Sequence, residues 1–187
     1  IDPFSRQSEY KYLPQDKKKS MSWIDFIGSG GIFKKSLFEE IGYFNGDIFI
    51  YGHEVDFSLR TLNAGYSIRY VPNIKIFRTV SQTKMNAFRM SLGASNFPKI
   101  FWRYLSFPLA LQLTVSMLIE YFIIAVMTHT LTAYIVGIRT LIHDFRDNLK
   151  KRTPIRRDIQ IYWSSQYPFT LANFIRRLLG RYSVNYN

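Results

Sequence analysis

Between Tyr104 and Ile138 the chain carries a single formal charge, Glu120. No other feature constrains the fold as tightly, because so long an apolar stretch has to be covered by protein or by lipid. Leu109–Met127 alone approaches the roughly 20 apolar residues that cross a bilayer as one helix. Gln112, Ser116 and Glu120 recur at steps of four, which predicts a polar stripe along one face. Such a stripe favours a helix lying in the membrane interface, or packed on a partner, over one bathed in lipid on all sides. An ionised Glu at mid-bilayer costs on the order of 2.5–3.5 kcal/mol. Thr128-His129-Thr130 interrupts the run, and Leu131–Phe145 is predicted as a second helix. From Arg139 to Arg181, ten Lys and Arg face three acids, Asp144, Asp147 and Asp158. Apolar followed by basic is the order of a membrane-contacting helix and its cytoplasmic flank. The bland alternative is an unusually apolar soluble helical pair.

Charge and composition narrow the partners. The 25 basic and 13 acidic residues leave +12, which suits nucleic acid, anionic headgroups or a phosphorylated substrate. No basic helix-turn-helix or RNA-recognition motif is present, so nucleic acid is not expected. Aromatic residues at 17% suit a membrane interface, and 47% hydrophobic against 20% charged excludes a disordered tail. The absence of cysteine excludes a disulfide scaffold, a thiolate zinc site and a cysteine nucleophile. Lys17-Lys18-Lys19 is read as a solvated loop.

The first eighty-odd residues read as α/β. Ile1–Ser20, broken by Pro3 and Pro14, is predicted as a loop. Trp23–Ile27 is predicted as a strand running into the turn Gly28-Ser29-Gly30-Gly31. Phe33, Leu37, Phe38 and Ile41 share a helical spacing that Gly42 can end. Asn45-Gly46 marks a turn and Ile48–Tyr51 a short apolar run. From Gly52, Val55, Leu59 and Leu62 share a helical face, acids occupy the first turn, and Gly65 ends the helix. Tyr66–Val71 then alternates like a strand, and Ile74–Phe77 suggests another. This divides the chain into an α/β part, 1–83, and a helical, apolar and basic part, 84–187.

Four segments in order, Phe26–Phe33, Ile41–Phe44, Phe49–Arg60 and Ala64–Pro72, carry a resemblance. Together they resemble the second half of the catalytic domain of family 2 glycosyltransferases, inverting enzymes of the Rossmann-like GT-A type that include rhamnosyl- and galactofuranosyltransferase-like members. The resemblance is strong over about fifty residues, and the apolar helices and basic tail look like the membrane-associated C-terminal region of such enzymes. It implies glycosyl transfer from a nucleotide-sugar donor to a hydroxyl of a glycan or lipid-linked acceptor, at the cytoplasmic face of the cell membrane. It also implies a divalent cation, Mg or Mn, in the complete enzyme.

By position the resemblance puts the general base on Glu54, where Asp is more common, with His53 in place of the preceding acid and Asp56 as a further carboxylate. It implies substrate contacts from Gly28, Ser29, Gly30, Gly31, His53, Arg60 and Arg78. A carboxylate in reach of a hydroxyl can take its proton as the new bond forms, and glycine lets backbone approach a ligand closely. Read without the resemblance, Glu54 and Asp56 equally serve the helix dipole, with Arg60 four residues beyond Asp56 placed to pair with it. Arg78 stands where family members often carry a metal-binding His. No Asp-x-Asp metal motif occurs, and no strand-helix units precede Trp23. A fragment lacking the nucleotide-binding half, with metal ligands largely outside the chain, is the expectation. The alternative is a membrane-anchored remnant or assembly module without turnover.

Overall fold

The computed structural model describes residues 21–71, apart from Ile24, Ile27 and Ser29, and residues 86–166. In chain order the elements are β1 (Met21–Trp23), α1 (Lys35–Ile41), a 3-10 turn (Gly46–Ile48), α2 (His53–Asn63), β2 (Ile68–Tyr70), α3 (Ala87–Tyr104), α4 (Phe107–Met127), α5 (Leu131–Lys150) and α6 (Arg157–Gln166). The described residues are therefore mostly helical and do not confirm the expected Rossmann-like architecture. Their only sheet is the antiparallel pair β1–β2, with Met21 opposite Tyr70 and Trp23 opposite Ile68. The expected segments Ile1–Ser20 and Ile74–Phe77 lie outside the described residues.

Local chemistry explains where the α/β expectation fails. The apolar run Ile48–Tyr51 makes no strand. The Asn45 side chain accepts from Asp47 N–H and starts a 3-10 turn that buries Ile48. The backbone then passes through positive φ at Tyr51 (56°) and Gly52 (109°) to enter α2. A Cβ at Gly52 would meet Ile100 at 2.9 Å, so glycine serves both conformation and close approach. The helix-end expectations hold: Gly42 (φ 80°) closes α1 and Gly65 (φ 88°) follows α2. Phe57, fully buried, is ringed by Phe26, Phe33, Phe38 and Phe44, and this cluster is the core of the small head.

The helical part is built around α3. The Asn86 side chain caps it by accepting from Arg89 N–H, and from Gly93 to Tyr104 almost every residue is buried. One side of α3 carries the head: Asn96 Nδ2 donates to the carbonyls of Ile50 and Tyr51, and Tyr104 donates to Asp56. The same helix also carries α4 and α5. Buried Lys99 pairs with Asp144, Arg103 donates to Asn148 Oδ1, and Asn148 Nδ2 returns a bond to Lys99 O. These contacts rise together along both helices, so α3 and α5 run parallel. The turn at Thr128–Thr130 reverses α4 into α5, where Tyr134 donates to Leu118 O. The helix expected over Leu131–Phe145 continues to Lys150. Thr153 and Ile155 donate to the last carbonyls of α3, those of Arg103 and Tyr104, and α6 packs Trp163 on Phe101. α3 is thus the central helix, and Asp47 of the head also takes Lys151 at the end of α5.

Candidate functional site at the start of α2

Gly52 turns the chain so that the first residues of α2 meet the glycine loop. An added Cβ at Gly28 would lie 2.8 Å from Glu54 Oε1 and 3.3 Å from His53 Nε2, so the loop backbone comes close to the ends of both side chains. Glu54 and His53 are both half-buried, with His53 Nδ1 3.2 Å from Glu54 Oε2. That approach is out of line for a hydrogen bond, and the buried Nδ1 has no hydrogen-bond partner. The imidazole instead packs edge-on against Phe44. Gly30 is exposed. A Cβ at Gly31 would strike the Phe33 ring at 2.6 Å, so this glycine accommodates the aromatic core. Ser29 and Arg78 lie outside the described residues.

Asp56 faces the other way. It is fully buried and accepts from Tyr104 Oη at 2.8 Å, from Arg60 Nε at 3.1 Å and from Arg60 Nη2 at 3.0 Å. Arg60, expected at a substrate, spends its remaining donors on the carbonyls of Ile41 and Tyr43, and its guanidinium lies over Phe57. Burial, then the adjacent Asp56 carboxylate, holds the Tyr104 phenol well above its ordinary range. Asp56, Arg60 and Tyr104 thus form a structural knot between the head and α3. A shallow cavity of about 240 Å³ lies at this end of α2, lined by Arg60, Asn63, Tyr104 and Pro154 among others; Glu54 does not line it.

Asp25 is the residue that sequence reasoning passed over. Its Oδ1 accepts from Ser58 Oγ at 2.8 Å and from Phe26 N–H at 2.7 Å, which ties the segment before the glycine loop to α2. Burial pushes its carboxyl up to about 7 against the lowering effect of those two bonds, and the charge of nearby Glu54 adds to the rise. A lone acid inside the apolar run Trp23-Ile24-Asp25-Phe26-Ile27 was the available signal.

The site therefore joins two unlike carboxyl groups: Glu54, half-buried and paired with no Lys or Arg among the described residues, and Asp25, inclined to keep its proton near neutrality. Among the described residues no three His, Cys, Asp or Glu stand close enough to hold a metal ion. No family model matches the chain, and no curated protein or solved structure is found similar to it.

Proposed function

We propose that the chain is the acceptor side of an inverting glycosyltransferase, in which Glu54 takes the proton of the attacking hydroxyl. One observation carries this reading: Glu54 Oε1 stands close against Gly28, and among the described residues no Lys or Arg pairs with it. In the step, the acceptor O–H proton passes to Glu54 as its oxygen bonds to the anomeric carbon. The bond from that carbon to the nucleoside diphosphate breaks, and the leaving group keeps the electron pair. A glycan or lipid-linked sugar at the cytoplasmic face of the cell membrane is the acceptor class this reading takes. Asp56 as a further catalytic carboxylate and Arg60 as a substrate contact are not part of this reading, because both are consumed by the knot to α3.

The test is Glu54→Gln in the complete enzyme. Transfer should fall by about 10²–10⁴-fold, the usual worth of a positioned base, while calorimetric binding of the nucleoside diphosphate is retained. Full activity in that variant rules out Glu54 as base. A wild-type enzyme that binds no sugar nucleotide instead supports the module without turnover, the reading favoured by the incorporation of Asp56 and Arg60 into the core.

A further inference from the structure

α4 is long and apolar enough to cross a membrane, but how its surface is distributed matters more than its length. On α4, Ala110, Leu113, Met117, Tyr121 and Ala125 bury against the rest of the protein. The opposite face presents Leu111, Val115, Ile119, Phe122 and Val126, all exposed, with Gln112 the one exposed polar residue beside them. On α5, Gly137, Leu141 and Asn148 are buried while Leu131, Ile135, Ile142 and Leu149 are exposed, Ile142 to 70%. Tyr134 touches Leu118 and Phe122, which sets the two exposed stripes side by side, turned away from α3. Exposed Arg139, Arg146 and Lys150 recur at steps of seven and four along the outer edge of the α5 stripe.

We propose that the outer face of the α4–α5 pair lies flat on an anionic membrane, immersed to the level of its apolar stripes, with Arg139, Arg146 and Lys150 at the headgroups. This deepens the membrane part of the proposed function, and it stands apart from the transfer chemistry because its test uses lipid alone. A spanning α4 is disfavoured by what it would take with it. α5 returns beside it, and its exposed Arg139, His143, Arg146, Asp147 and Lys150 would enter hydrocarbon, each charge at a cost of kilocalories. Lying flat places the same stripe in the acyl boundary and leaves those cations in the headgroup layer, as in amphipathic helices that bind the interface. The basic edge also selects the occupant. Anionic lipid complements it, whereas a two-fold copy of the chain would set like charges around the same patch.

The chain has no cysteine, so single cysteines report position without background. With vesicles of phosphatidylcholine containing phosphatidylglycerol, probes at Leu111, Val126 and Ile142 should all give the same shallow depth by quenching from labelled lipid. A membrane-impermeant maleimide added outside should reach cysteines at both Ser106 and His129. A depth gradient along α4, or protection of one end, overturns the flat arrangement in favour of a span. Arg139→Gln with Arg146→Gln should weaken partition by about 30-fold at low salt, from roughly 1 kcal/mol for each cation near the surface. Phe122→Asp with Ile142→Asp should abolish it, with circular dichroism unchanged because both side chains are exposed. Vesicle binding unaffected by the aspartates, or dimerisation in place of binding, overturns the proposal.

Discussion

Glu54 and Asp56 are separated by a single residue and meet opposite fates. Two positions along a helix turn a side chain by about 200°, so Asp56 points into α3 while Glu54 stays at the glycine loop. Asp56→Ala should cost about 3–5 kcal/mol in urea unfolding, because it strands Arg60 and the Tyr104 hydroxyl in a buried setting. The pairing of Asp56 with Arg60 was legible, since i, i+4 spacing suffices to propose it. The choice between pairing and catalysis was not, because it depends on Tyr104, which is 48 residues away in the chain. Asp25 carries a second expectation. Its folded carboxyl is raised to about 7 from an ordinary value of 3.8, so the folded state keeps a proton that the unfolded chain releases. Stability should therefore fall as pH rises from about 4 to about 7, by on the order of a few kcal/mol, and level off above. Urea midpoints over that range should show the slope in the wild type and lose it in Asp25→Asn. Asp47 and Asp144, held low chiefly by hydrogen bonds from Lys151 and Lys99, act in the opposite sense and at lower pH, so the windows separate.

Helices that make their own ends were readable. Gly42, Gly65 and the break at Thr128-His129-Thr130 mark termini by backbone chemistry alone, and α1, α2 and α4 begin and end within two residues of expectation. The polar stripe on α4 misleads about direction. Ser116 is buried and bonds back to Gln112 O, Glu120 is half-buried, and the face left open is the apolar one. Nothing in the spacing distinguishes a stripe facing water from one tucked beside a neighbour. The pairing of α3 with α5 was equally hidden, since Lys99 and Arg103 look like surface residues until Asp144, Asp47 and Asn148 meet them. Gly137 tests that contact. An added Cβ would lie 2.5 Å from Ser91 O and 2.9 Å from Ala94 Cβ, backbone and a short side chain that cannot swing aside. Gly137→Ala should destabilise by about 1–3 kcal/mol by thermal unfolding, although helix propensity alone favours alanine by about 1 kcal/mol.

At the scale of the whole molecule the sequence does not say how the first eighty-odd residues meet the apolar helices. That depends on contacts between segments far apart in the chain: Asn96 with Ile50, Tyr104 with Asp56, Arg156 N–H with Asn63. Asp47 of the head takes both Arg103 of α3 and Lys151 at the end of α5. One carboxylate thus clamps the head to two helices at once, and any tilt of the head against the helical part has to break both ion pairs together.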